Sequence, residues 1–259
     1  TIEGLAYATC RGGWPASTKL KEKAALRVAR NYMEEVINYD VHRVDGVDKN
    51  TTRVRKLLES YARNISTMAA NETIMADVRA TDQTISPNTF AIYLSALRRI
   101  FIVDDVPAWS PALRSKTKIR TSPKRHFVDP SIAVALMGTN PQGLLKDFPT
   151  FGFLFEDLCA RDLRVYAQAL DGEVYHYRDK NELECDLVVA LRDGRWGAVE
   201  VKLGKNEEED AAKHLIALSE NIDNQRMKSP SFLMILTAGQ YAYRRADGVY
   251  VVPIGCLKD

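Results

Sequence analysis

An α+β fold built in successive parts is predicted by three observations. Through the first two thirds of the chain, apolar residues recur at spacings of three and four, the pattern of amphipathic helices. From Glu173 onward the period changes to two, the pattern of strands. Between them, residues 109–125 have no helical period and carry six positive charges from Arg114 to Arg125 without one acid.

Each element has its own warrant. A turn-like cluster runs from Cys10 to Pro15. Leu26, Ala29, Tyr32, Met33, Val36 and Ile37 then make one stripe, which predicts a helix over 19–39. Polar residues 40–50, with Gly46, predict a linker. Val54, Leu57, Leu58, Tyr61 and Ile65 predict a helix over 52–68. Ser86 and Pro87 supply the cap and first-turn proline of a third helix, striped by Phe90, Tyr93, Leu94, Leu97 and Ile100. Residues 100–106 and 126–128 read as strands flanking the basic loop. Asp129-Pro130 opens a short helix to Met137, stopped by Gly138. A loop over 143–151 precedes a helix over 154–163 that turns Phe155, Leu158 and Cys159 inward. Strands follow at 173–177, 183–191 and 196–203, the last two joined by a tight turn at Asp193-Gly194. A helix over 206–219, a buried strand over 231–237 and a last strand over 250–254 complete the chain.

Composition narrows the class. The chain has 259 residues, 46% hydrophobic and 27% charged, an ordinary globular balance. No run approaches the length of a membrane-spanning helix, so no membrane partner is expected. Thr1 in first place reads as a fragment or processed chain, and no signal peptide is visible in residues 1–14. Cys10, Cys159, Cys185 and Cys256 form no CxxC pair, which suits a reducing cytoplasm. The net charge of +2 hides an asymmetry. Residues 1–150 hold 22 Lys and Arg against 15 acids, and residues 151–259 hold 14 against 19. A basic half beside an acidic half fits a nucleic-acid binder joined to a metal-binding domain.

Two helices followed by a hairpin with a basic loop is the order in which a winged helix is built. Its cations, Arg114, Lys116, Lys118, Arg120, Lys124 and Arg125, are each able to neutralise a phosphate. Arg98 and Arg99 add to this set from the third helix, and DNA is the partner expected. The exposed polar groups are few, so contact should be mostly non-specific.

The most informative stretch is the strand region. Asp186 lies in one predicted strand, and Glu200 and Lys202 in the next. Residues two apart on a strand share a face, so Glu200 and Lys202 project together while Val199 and Val201 face the opposite side. A hairpin brings Asp186 beside Glu200, and two carboxylates on an apolar sheet need a compensating cation. Mg²⁺ or Mn²⁺ would serve, and Glu156 on the preceding helix is a further candidate ligand through water. A metal there would activate a water, with Lys202 orienting it.

Helix, strand, Asp in a second strand and Glu-x-Lys in a third resembles the PD-(D/E)XK nuclease superfamily. The resemblance implies Asp186 and Glu200 as metal ligands, Lys202 as the catalytic lysine and Glu156 as the acid of the first helix. More narrowly, the chain resembles the C-terminal domain of unknown function that follows the ATPase module in prokaryotic AAA-type ATPases. The matching residues are Gly12-Gly13-Trp14-Pro15, Phe127-Val128-Asp129-Pro130, Tyr177-Arg178, Glu184-Cys185-Asp186 and Glu200-Val201-Lys202. This implies a helical end of an ATPase module over 1–50, a winged helix over 51–142 and a three-layer nuclease-like domain with a mixed sheet over 143–259. No GxxxxGK[ST] phosphate loop is present, so no nucleotide site and no ATPase activity are expected of this chain. The expectation is a metal-dependent nuclease acting on DNA. The alternative is a silent regulatory module that binds DNA or protein, or self-associates.

Overall fold

The computed structural model describes residues 1–111, 121–222 and 227–258. They form two compact units, one of residues 3–105 and 124–157, the other of 1–2, 106–123 and 158–259. The class is α+β, with a six-stranded mixed sheet.

The first unit is helical. Its principal helices are α1 (Ile2–Arg11), α2 (Val28–Glu35), α3 (Thr51–Arg63), α4 (Asn71–Thr81), α5 (Pro87–Arg99) and α6 (Pro130–Met137). Short turns break the helix expected over 19–39: Glu22–Ala25, then α2, then a π-helical turn at Val36–Asp40. The π turn runs into Val41–Arg43, inside the expected linker. Helix α3 is capped by Asn50, whose side chain accepts from Arg53 N–H. Helix α5 is capped by Ser86 with Pro87 in its first turn, as its sequence dictates. Asp129 caps α6, and Gly138 ends it at φ +67°.

Two helices have weak sequence signals. In α4 only Ile74 and Val78 are buried, and Ala70 gives it no side-chain cap. Helix α1 buries only the small residues Ala6, Thr9 and Cys10. Neither pattern makes the broad apolar stripe that reveals α3.

The paired strands expected at 100–106 and 126–128 are reduced to isolated bridge residues, among them the antiparallel bridge of Val103 to Phe127. Asp104 N–H donates to His126 O at 2.9 Å and Val128 N–H to Ile102 O at 3.1 Å, while on its other side Arg125 N–H donates to Thr67 O at 2.8 Å and its carbonyl accepts from Ser66 N–H at 2.7 Å. The stretch is thus bonded to the segment after α5 on one side and to the segment after α3 on the other.

Two of the short sequence motifs meet in this unit. Gly13 N–H donates to Asp129 Oδ2 at 2.8 Å, and Trp14 Nε1 donates to Ser131 Oγ at 2.8 Å. Asp129 Oδ1 also accepts from Ser131 N–H, so one carboxylate caps α6 and anchors the chain after α1. Gly12 sits at φ +75°, and a Cβ there would collide with Asp129 and Ser131. Asp129→Ala is expected to cost about 2 kcal/mol, a lost cap plus a buried N–H left without its acceptor. Urea unfolding of the full chain checks this, and an unchanged midpoint would refute the anchor.

The second unit is the sheet, in strand order β1-β2-β3-β4-β6-β5. Its strands are β1 (Gly172–Arg178), β2 (Glu184–Leu191), β3 (Trp196–Lys202), β4 (Phe232–Thr237), β5 (Tyr243–Arg244) and β6 (Tyr250–Pro253). The first three form an antiparallel meander, and β4 lies parallel to both β3 and β6. Gly194, at φ +86°, makes the β2–β3 turn that the Asp193-Gly194 pair predicts. Helix α8 (Glu208–Asn221) connects β3 to β4, so the parallel pair has the crossover it requires. Ala211, Ala212, Leu215 and Leu218 of α8 pack with Val188, Trp196, Ala198, Ile235 and Val251. Helix α7 (Phe148–Ala169) precedes β1 and is longer than the stripe over 154–163 implies. Its residues from Leu158 onward belong to the sheet unit.

The segment leading into the basic loop also belongs to this unit. Trp109 N–H donates to His176 O at 2.7 Å, and His176 N–H donates to Pro107 O at 3.0 Å. Trp109 packs on Trp196 at a ring-centre distance of 4.8 Å. Among the described residues no helix is long and apolar enough to cross a membrane.

Candidate functional site

The site is built by the β2–β3 hairpin. The register pairs Leu187 with Val199 and Val188 with Ala198. One step beyond Leu187 is Asp186, and one step beyond Val199 is Glu200, so both acids occupy the sheet face shared by Val188 and Ala198. At this point a side chain joins the backbone ladder: Asp186 Oδ2 accepts from Val201 N–H at 2.9 Å. Glu200 is 4% exposed, flanked on β4 by Ile235.

Lys202 completes the group. Its Nζ lies 3.0 Å from Glu200 Oε2 and 3.6 Å from Asp186 Oδ2. The lysine side chain is 24% exposed and that of Asp186 18%, so the three groups meet where the sheet face becomes accessible to solvent. On the opposite face Leu187, Val199 and Val201 are buried. Both faces are therefore core along most of these strands, and the triad lies at the edge of the face on which Val188 and Ala198 are buried. The ammonium ion compensates two carboxylates whose proximity would otherwise be costly.

The donors are all carboxylate oxygens, which suits a hard cation. Mg²⁺ is commonly held by one or two carboxylates and completed by water and substrate oxygens, and Asp186 with Glu200 matches that mode. Among the described residues, no group of three or more His, Cys, Asp or Glu is arranged to hold a metal by itself. Glu156 lies in the helical unit on α7, where its Oε1 takes a 2.6 Å ion pair from Lys124 Nζ.

The expected nucleic-acid contacts divide sharply. Lys124 and Arg125 are 6% and 2% exposed, so they are not cations of a solvated loop. Lys124 is held by Glu156, and Arg125 lies at the centre of a polar network. Burial without a partner would cost several kcal/mol, which is why each is drawn to a carboxylate. Arg98 and Arg99 are exposed on α5, with Arg98 Nη2 bonded to Asp105 Oδ2 at 2.7 Å. Arg114, Lys116, Lys118 and Arg120 lie outside the described residues.

Sequence reasoning missed the network around Arg125. Its guanidinium donates to Ala69 O at 2.8 Å, Asn71 Oδ1 at 3.0 Å, Asp105 Oδ2 at 3.1 Å and Tyr61 Oη at 3.3 Å. Tyr61 donates to the other oxygen of Asp105. Burial, and then the Asp105 carboxylate, push the Tyr61 hydroxyl far above its ordinary range, so it remains a donor. No local pattern announces this arrangement, because its members come from four separate segments.

A helical unit followed by a mixed sheet bearing an Asp–Glu–Lys group defines a two-part α+β protein with one candidate polar site. The chain belongs to the family described as a domain of unknown function (DUF8612), which matches residues 2–143. Residues 151–257 match a second domain of unknown function (DUF4143), known as an ATPase-associated C-terminal domain. No curated protein matches the chain, and no solved structure does.

Proposed function

We propose that the sheet unit carries a divalent-metal-dependent nuclease site for DNA phosphodiesters. The observation that supports this best is the position of Lys202 Nζ within 3.6 Å of carboxylates from two adjacent strands. The order α7-β1-β2-β3-α8-β4 agrees with a PD-(D/E)XK-like core. The helices α3 and α5, with bridged segments at Val103 and Phe127, suit a reduced winged-helix-like module earlier in the sequence.

In this reading Asp186 and Glu200 hold Mg²⁺ or Mn²⁺. The bound ion supplies acidity to a water and positive charge to the phosphoryl oxygens. Asp186 is fixed by Val201 N–H, which orients its Oδ2. Lys202 orients the attacking water and stabilises negative charge developing on the phosphate. Buried Glu200 pairs with that lysine and holds it in place. Exposed Arg99 and the basic loop steer the phosphate backbone in a salt-dependent way.

The test is a cleavage assay on single- and double-stranded DNA, with Mg²⁺ and Mn²⁺ separately. The wild type is expected to cut only with metal. Asp186→Ala and Lys202→Ala are expected to lose at least about 100-fold of the rate while staying folded. Cutting that persists in both variants refutes the site.

A second reading is a silent regulatory module that binds DNA or protein. It is favoured by the two-carboxylate donor set and by the acids Glu207, Glu208, Glu209 and Asp210 at the start of α8, which repel a phosphate backbone. A folded wild type that binds Mg²⁺ without cutting would select it.

A further inference from the structure

The helical unit carries a cleft of about 330 Å³ between the start of α2 and the end of α6. Leu26, Val134, Ala135 and Pro141 give it an apolar part of the lining. Cys10 contributes a neutral thiol, since burial pushes its pKa up to about 12. Arg27, Arg30, Ser131, Thr139 and Asn140 supply the polar lining, and among the described residues no acidic one lines the cleft.

Several arginines in this unit hold carboxylates. Arg53 pairs with Asp82, Arg55 with Glu34, Arg63 with Asp77, and both Arg98 and Arg125 with Asp105. Arg27 and Arg30 differ: neither guanidinium has a hydrogen bond or ion pair among the described residues. Arg30 influences Glu34 only through space, because both Glu34 oxygens are taken by Arg55, at 3.1 and 2.7 Å. Like charges three residues apart on a helical turn repel mildly. Asn140 uses its Oδ1 on Gly143 N–H, which leaves its amide N–H groups available to donate.

We propose that this cleft binds a small phosphomonoester with a flat or apolar body. Two guanidinium ions match the charge of a phosphomonoester, about −1.5 to −2 near pH 7. Their planar forks suit its oxygens, and the Asn140 amide and Thr139 hydroxyl add donors. The apolar lining accepts the body, and the volume lies at the small end of ligand sites.

Calorimetric titration of the full chain with phenyl phosphate tests this, with phenol and inorganic phosphate as comparison probes. Saturable binding is expected for phenyl phosphate, with inorganic phosphate weaker and phenol silent. The double variant R27A/R30A should weaken binding by about tenfold or more. The variant R27K/R30K should recover part of it, and far-UV spectra and urea midpoints confirm that both variants fold. Asp186→Ala should bind as the wild type does, so the outcome is independent of the proposed nuclease site. Three results would each overturn the proposal: no saturable binding, phenol or inorganic phosphate binding as tightly as phenyl phosphate, or unchanged binding in folded R27A/R30A.

Discussion

Lys202→Met is expected to abolish Mg²⁺-dependent cleavage and at the same time to tighten Mg²⁺ binding about tenfold or more. The lysine ammonium stands 3.0 Å from Glu200 and 3.6 Å from Asp186, where it competes with an incoming cation for the same oxygens. Removing its charge takes away that competition and leaves two carboxylates facing each other. The metal-free variant should therefore be less stable than the wild type, and added Mg²⁺ should raise its unfolding midpoint more than that of the wild type. Calorimetry measures the affinity, and thermal unfolding with and without Mg²⁺ measures the linkage. Equal Mg²⁺ affinity in the two proteins would refute Asp186 and Glu200 as the ligand pair. Asp186→Asn serves as the opposite control, since it removes a ligand charge and should weaken binding.

Arg125→Met is expected to destabilise the helical unit by about 3–5 kcal/mol. The methionine fills comparable volume, so the loss is mainly that of the guanidinium. Without it the Ala69 carbonyl, the Asn71 side chain and one interaction of Asp105 lose their donor inside the unit. Asp105 keeps Arg98 and Tyr61, which limits the damage to its charge. Arg125→Lys retains the charge but not the planar fork, and should fall between wild type and methionine. Urea unfolding followed by far-UV dichroism measures the order. A methionine variant as stable as the wild type would show that the network contributes no net stability. Because Arg125 is 2% exposed, the same variant should leave any DNA affinity of the folded chain unchanged.

Much of the sheet unit was legible in the sequence because its signals are local. Alternation placed β2 and β3 almost to the residue, and Asp193-Gly194 fixed the turn between them. Given that turn, register follows, and register alone sets Asp186 beside Glu200. The edge strand β5, two residues long, was beyond this reach because two residues cannot show a period. In the helical unit the capped helices α3, α5 and α6 were legible for the same local reasons. Helix α4, with two buried apolar residues and no side-chain cap, was not.

What the sequence by itself determined is therefore the order of elements and the residues that share a strand face. These depend on the 3.6- and 2-residue periods and on caps and turns, all set within a few residues. Only the tertiary structure decided which charges are spent inside the fold. Lys124 and Arg125 look in sequence like the continuation of a basic loop, yet they are buried against Glu156 and Asp105, 32 and 20 residues away. Arg27 and Arg30 look no different from the arginines around them, yet they line a cleft without a partner from within the unit. A charge is directed by whichever opposite charge the packed chain brings within reach, and that distance has no counterpart along the sequence.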